Sequence, residues 1–191
     1  MSTQQEKEEL RQRLLDTRSS LSESEFEEAS ESIIARLQTL PEIRQSRTLH
    51  CYVSMNSRRE VDTHFFLRWM LASNKRVIVP ITYFEATELK HVELHSFEDL
   101  QPNKWGVLEP SDGKEVSPRQ LDLVIVPMVG ADLQCNRIGY GKGFYDRFLA
   151  GVNCPTVGLC FEECIVDRIP TESFDVSLSA VVTEERVIKK K

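Results

Sequence analysis

From Asp122 to Leu149 the chain passes from an apolar run through a polar loop into three alternating glycines and then a helical pattern, an order few folds accommodate. Asp122 to Val126 (DLVIV) has the length and β-branched content of a buried strand, and Pro127 ends it. Gly139, Gly141 and Gly143 alternate with Tyr140 and Lys142 and lead into Phe144, Phe148 and Leu149 at helical spacing. Strand, glycine turn and helix in that order form a backbone that can approach an anion closely. Glycine has no Cβ in the way, and a helix N-terminus presents unpaired N–H groups. Arg137, Lys142 and Arg147 add positive charge around the turn, and Asp146 falls one helical turn after Lys142. A first-turn acid commonly complements the helix dipole; beside phosphates the same carboxylate is a candidate magnesium ligand.

Two familiar phosphate loops are excluded. The GxxxxGK loop is followed by Ser or Thr, whereas Lys142 is followed by Gly143, and the glycine spacing here is GxGxG rather than GxGxxG. Taken alone, the cluster is equally consistent with a tight turn that packs a helix on a sheet.

The rest of the chain alternates helical and strand patterns. Residues 4–18 predict a charged amphipathic helix with Leu10 and Leu14 on one face and Lys7 and Arg11, four apart, on another. Ser22 and Glu25 form a capping box for a second helix carrying Phe26, Ala29, Ile33 and Leu37, which Pro41 closes. A strand is expected at 49–54, a helix with Phe66, Trp69 and Met70 capped by Asp62 or Thr63, and strands at 76–80, 88–95, 122–126, 155–160 and 179–183. That alternation predicts a single α/β domain over residues 1–191, in three layers, with a largely parallel or mixed central sheet flanked by helices. Residues 101–120, rich in Pro, Gly and Ser, form the longest irregular stretch and are expected to act as a lid or pocket wall.

A length of 191 residues with 40% hydrophobic content suffices for one substantial core. With 24 basic and 30 acidic residues the formal charge is −6, which argues against nucleic acid or an anionic membrane as partner and requires a local basic pocket for any anionic substrate. The longest apolar run, Leu123 to Ala131, is too short to span a bilayer. Five cysteines without a CxxC pair, and a polar N-terminus, lead to the expectation of a reduced, cytoplasmic protein. Cys160 and Cys164 read as partly buried thiols rather than zinc ligands, and His91, Glu93 and His95 as a solvated strand face. The terminal run Lys189 to Lys191 reads as a solvated tail.

NRIGYGKGFYDRFL, preceded by VPMVGAD and followed by GLCFEE, resembles the signature of the 5-formyltetrahydrofolate cyclo-ligase family. Lys7 and Arg11, SMNSRREVDT at 54–63, WGVLEP at 105–110 and IPTESFD at 169–175 fall in that family's order. Two departures stand out: Ser179 where members often carry Asp, and Lys142 where many carry Gly. The resemblance implies ATP- and magnesium-dependent closure of 5-formyltetrahydrofolate, with or without a polyglutamate tail, to the 5,10-methenyl form, through a phosphorylated formyl group and with release of ADP and phosphate. It implies ATP binding by Lys7, Arg11, Arg137, Gly139, Tyr140, Gly141, Lys142, Gly143, Phe144 and Tyr145, with Arg137 and Lys142 catalytic. It further implies folate binding by Met55, Glu60, Trp105, Tyr140 and Tyr145, and metal binding by Asp146 and Asp175.

Each of these residues also has an ordinary reading. Lys7 and Arg11 suit a solvated helix face, Trp105 a packing anchor beside Gly106, Tyr145 a helix contact with its hydroxyl at the rim, and Asp175 a turn cap. In open α/β sheets ligands gather beyond the carboxyl ends of the strands. Residues 55–60, 128–136 and 161–163 are therefore expected to converge on one cleft. A sugar-phosphate isomerase, a small-molecule kinase and a non-catalytic nucleotide or folate sensor are the competing functions. The oligomeric state is not legible in the sequence; a monomer is the default.

Overall fold

A computed structural model describes residues 2–190. Two helices open the chain, α1 (Thr3–Ser20) and α2 (Glu23–Thr39). Ser2 with Gln5, and Ser22 with Glu25, form reciprocal capping boxes that satisfy N–H groups the first turn would otherwise leave open. Pro41 does more than close α2: lacking an N–H and fixed at a helical φ, it starts α3 (Pro41–Gln45). The remaining helices are α4 (His64–Ala72) and α5 (Phe144–Leu149). The strands are β1 (Thr48–Cys51), β2 (Arg76–Tyr83), β3 (Glu88–Leu94), β4 (Leu100–Pro102), β5 (Leu108–Pro110), β6 (Leu123–Val126), β7 (Gly130–Asp132), β8 (Arg137–Ile138), β9 (Thr156–Leu159), β10 (Ile165–Val166), β11 (Ala180–Val182) and β12 (Val187–Lys189).

The central sheet has seven strands in the order β12-β11-β9-β6-β1-β2-β3. Its five inner strands run parallel, and the two edge strands, β12 and β3, run antiparallel to their neighbours. The expected α/β fold with a largely parallel sheet is therefore observed. Side chains alternate across it. Leu49, Cys51, Val77, Val79, Leu123 and Ile125 join the core built with Phe26, Ile33, Leu37, Phe66 and Met70 of α2 and α4. His50, Ile78, Val124 and Val126 face the other side, where Leu14 of α1 and Phe148 and Leu149 of α5 pack. On that second face the cover is only partly helical, because a three-stranded sheet, β10-β7-β8, completes it.

Several expectations are corrected. β1 stops at Cys51 rather than at residue 54, because the backbone beyond it turns to side chains instead of to a neighbouring strand. Thr63 Oγ1 donates to the Tyr52 carbonyl at 2.9 Å and accepts from the Ser54 N–H at 3.1 Å, so it is spent and does not cap α4. The Asp62 carboxylate instead accepts the His64 N–H at 2.8 Å. On β3, His91 is buried against His50 rather than solvated, while His95 is exposed. Cys160 and Cys164 are fully buried, and burial raises both thiols, Cys164 to about 11. The stretch 101–120 is not wholly irregular, since β4 and β5 pair there and carry Trp105 at their turn. No described helix is long and apolar enough to cross a membrane.

Candidate active site

Beyond the carboxyl ends of β1, β2 and β6 lies a cleft of about 980 Å³ lined by Tyr52, Val53, Thr82 and Pro127 at its sheet side. The residues the sequence assigned to the nucleotide, folate or metal line it: Lys7, Arg11, Met55, Glu60, Trp105, Arg137, the run Gly139 to Asp146, and Asp175; Arg147 does not, being turned to the Thr87 and Lys142 carbonyls. Of the three loops expected to converge, 55–60 does so directly. Residues 128–136 contribute only by placing Arg137: Asp132 is buried, its carboxylate accepting the N–H groups of Gln134, Asn136 and Ile169 at 2.9 Å, and this fixed turn aims Arg137 into the cleft. Residues 161–163 do not reach it. Phe161 packs on Phe26, and Glu162 bonds Thr183 and pairs with Arg186.

One end of the cleft is dense in charge. On α1, Lys7, Arg11, Leu14 and Arg18 recur at i, i+4, i+7 and i+11 and form one inward stripe, so the two basic residues share a face with Leu14 instead of opposing it. Lys7 pairs with Glu172 at 3.0 Å and also with Asp175. Desolvation pulls its ammonium pKa down, but hydrogen bonds to Asp175 and Glu172 outweigh this and the net shift is upward. Arg11 donates through Nε to the Gly139 carbonyl at 2.7 Å and pairs with Glu8. Gly141, at φ +82°, is a left-handed position; a Cβ there would stand 3.1 Å from the Arg11 guanidinium carbon. Gly143, at φ +68°, begins α5.

Arg137 is the most enclosed of these cations, its side chain 4% exposed. Both of its terminal nitrogens donate to Asp146 Oδ1 at 2.9 Å, and one also reaches the Val176 carbonyl at 3.2 Å. Asp146 and the residue after Asp175 thus share a single guanidinium. Lys142 is exposed and, among the described residues, forms no ion pair.

The other end is apolar and aromatic around one acid. Glu60 is 6% exposed; its Oε2 accepts the Met55 N–H at 2.7 Å and its Oε1 the Tyr140 hydroxyl at 2.6 Å. A carboxylate can accept about four hydrogen bonds, so lone pairs remain for a ligand's donors. Trp105, 53% exposed, packs on Phe84, which in turn meets Phe144 edge-on. Tyr145 does not put its hydroxyl at the rim: the ring sits edge-on to His50 and Phe148, and the hydroxyl is buried.

Two buried polar atoms here, Arg137 Nε and the Tyr145 hydroxyl, have no hydrogen-bond partner among the described residues. Orphaned groups in a native interior are uncommon, and lining a cleft they are suited to meeting a ligand. For a divalent cation, Asp146 Oδ2 and Asp175 Oδ1 accept no hydrogen bond from the described residues. Among the described residues no group of three or more His, Cys, Asp or Glu could hold a metal unaided. That donor set fits magnesium brought in with a nucleotide, which takes one or two carboxylates and completes its shell with phosphate oxygens and water. Asp175 is also the turn cap its sequence suggested, accepting the Glu172 N–H at 2.7 Å. Ser179 stands apart from the cleft, bonded to Thr156. Sequence reasoning missed Arg18, Arg58, Phe84, Glu172 and Phe174 as members of the site or its support. The 7-11-14-18 stripe would have found Arg18.

The sequence model of the 5-formyltetrahydrofolate cyclo-ligase family matches residues 3–184. The 5-formyltetrahydrofolate cyclo-ligase of Escherichia coli K12 is 30% identical over 176 residues, covering 89% of this chain and 96% of that protein. The mouse enzyme of the same name is 28% identical, covering 74% and 75%. Among solved structures, the 5,10-methenyltetrahydrofolate synthetase of Aquifex aeolicus superposes with a TM-score of 0.85 at 34% identity, covering 96% of this chain and 92% of its own. That of Mycoplasma pneumoniae, at 23% identity and a TM-score of 0.76, shares the fold. A match that runs through the glycine turn, both ends of the cleft and nearly the whole length leaves one conclusion: the chain belongs to the 5-formyltetrahydrofolate cyclo-ligase family.

Proposed function

We propose that this protein converts 5-formyltetrahydrofolate to 5,10-methenyltetrahydrofolate at the expense of ATP, acting as one unit of residues 1–191. The observation that carries the reading is the junction, in one cleft, of a cationic end and an aromatic end with a single buried acid. A triphosphate and a flat heterocycle carrying N–H donors need those two environments side by side.

The formyl group on the folate is amide-like, and its oxygen leaves poorly. In the proposed sequence that oxygen attacks the γ-phosphorus in line, and the bond to ADP breaks. The resulting iminium phosphate is attacked at carbon by the nitrogen at position 10; that nitrogen loses its proton and phosphate departs with the former formyl oxygen. No protein nucleophile is needed, only position and charge. Arg137 and Lys142 neutralise charge moving between the γ-phosphate and ADP, Arg137 through its open Nε. Lys7 and Arg11 close on the nucleotide from α1, while Gly139, Gly141 and Gly143 let backbone approach it beside Tyr140, Phe144 and Tyr145. Magnesium, held by Asp146 and Asp175, would supply charge neutralisation between the phosphates.

Glu60 takes the pterin's N–H donors, with Met55, Trp105 and the two tyrosines as wall. Five unpaired cysteines fit a reducing, cytoplasmic setting. The test is purified protein with ATP, magnesium and 5-formyltetrahydrofolate. Folate-dependent ADP, equimolar with growth of the methenyl absorbance, is expected; ADP without folate, or no absorbance with all three saturating, would overturn the reading.

A further inference from the structure

Arg18 is 3% exposed, and the proposed reaction gives it nothing to do. A guanidinium cannot shed its charge, so burying one demands partners. Its Nη1 donates to the Met128 carbonyl at 3.1 Å, and its Nη2 donates to the Tyr140 hydroxyl at 2.7 Å. The Tyr140 hydroxyl has one proton and donates it to Glu60 Oε1 at 2.6 Å. The directions are consistent from end to end: cation to phenol oxygen, phenol proton to carboxylate. The nearest bonded anion to Arg18 is therefore Glu60, reached through one shared hydroxyl.

We infer that Arg18 is a positioning residue for folate binding, which holds the Glu60 carboxylate aimed into the cleft by way of the Tyr140 hydroxyl. The inference rests on Glu60 as the folate-binding acid of the proposed function and adds a residue outside the cleft lining. Other groups facing Glu60 cannot substitute. Tyr52, Tyr140 and Tyr145 are raised by burial first and by the Glu60 charge as well, which keeps all three neutral. Tyr140 is eased back somewhat by Arg18 itself. Arg58, 6.0 Å over the Tyr140 ring, is exposed and free to move, whereas Arg18 is fixed between two elements.

Arg18 also sits on the helix that carries Lys7 and Arg11, three turns beyond the first of them. A single rigid element therefore bears on both ends of the cleft. The relay ties the folate acid to the helix that meets the nucleotide.

The test measures folate and ATP affinity, KM, kcat and melting temperature for Arg18→Met, Tyr140→Phe and the double variant, with Trp105 fluorescence as a direct binding readout. Arg18→Met is expected to raise the folate KM about tenfold with ATP affinity within about twofold of the parent, a hydrogen-bonded charge being worth about that much. Turnover at saturating folate stays within about twofold of the parent, because Arg18 acts on binding and touches none of the reacting atoms. The double variant loses less than the product of the two single losses, since both act on one carboxylate.

Should Arg18→Met not fold, Arg18→Lys, which keeps the charge without the planar fork, takes its place beside Tyr140→Phe, and the same folate-selective loss is expected. Folate and ATP affinities that fall together with the melting temperature, or losses that multiply independently, would overturn the inference and make Arg18 a purely structural cation. Parent protein that binds no folate defeats the functional reading and this inference together. Parent protein that binds and turns over folate, with Arg18→Met indistinguishable from it, defeats this inference alone.

Discussion

The two ends of the cleft are built on opposite electrostatic plans. At the cationic end charges neutralise one another across distant segments: Lys7 with Glu172 and Asp175, Arg137 with Asp146. At the aromatic end one buried carboxylate is held by a backbone N–H and a phenol, with no cation touching it. The first end must exchange partners when a polyanion enters; the second is already arranged for a neutral heterocycle. A site that handles phosphoryl transfer gains from cations kept desolvated and aligned but not committed. A site that selects a ring gains from an acceptor that does not move.

The largest test of this contrast is Arg137→Ala, expected to lower kcat by about 10²-fold or more at saturating ATP. Lys142→Ala, at an exposed and unpaired position, should cost far less, within about tenfold. Equal losses at the two positions would show that enclosure is not what matters at the cationic end. Next in size is Glu60→Gln. An amide replaces two acceptor oxygens with one and adds donors that face the ligand's own, so folate affinity should fall at least about tenfold while ATP affinity stays near the parent value. Calorimetry giving both ligands the same loss would merge the two ends into one.

A smaller, several-fold effect is expected at the acids. Asp146→Asn and Asp175→Asn should each raise the magnesium concentration for half-maximal rate, more at Asp146, which follows Lys142 by one helical turn beside the glycine turn, whereas Asp175 also caps the turn at Glu172. A magnesium curve unchanged in Asp175→Asn leaves it as a cap and ion-pair partner only.

The last test concerns what supports the aromatic end and vanishes at neutral pH. His50 and His91 meet at 3.1 Å beneath Phe148, and burial lowers both, His91 to about 4. Above about pH 7.5 neither the folded nor the unfolded chain protonates them to any extent. As the pH falls toward 4 the unfolded chain takes up protons that the folded one refuses, so stability declines, on the order of 1–3 kcal/mol from His91 and further in the same direction from His50. Urea midpoints should show that decline, and His91→Gln should flatten it; an equal slope in the variant would place the acid sensitivity elsewhere.

Much of the fold was legible because it obeys local rules. Capping serines, β-branched runs and the Pro127 break located both long helices and the parallel strands to within a few residues. The strand after Leu49 was overextended because nothing local signals that Thr63, a distant residue in sequence, takes up its backbone groups. The glycine turn and its flanking charges pointed to the cleft they line, since spacing there is set by backbone geometry within one segment.

Pairing was another matter. That Asp175 meets Lys7, that Asp146 meets Arg137, that His91 is buried rather than solvated, and that residues 161–163 turn away from the cleft all depend on which segments the sheet brings side by side. Sequence by itself determined the residue types and local conformations, because those are governed by neighbours a few positions apart. Tertiary structure alone decided which charge neutralises which, and so that Arg18 faces Glu60 through Tyr140, because Coulomb and hydrogen-bond partners are chosen by distance in space rather than by separation along the chain.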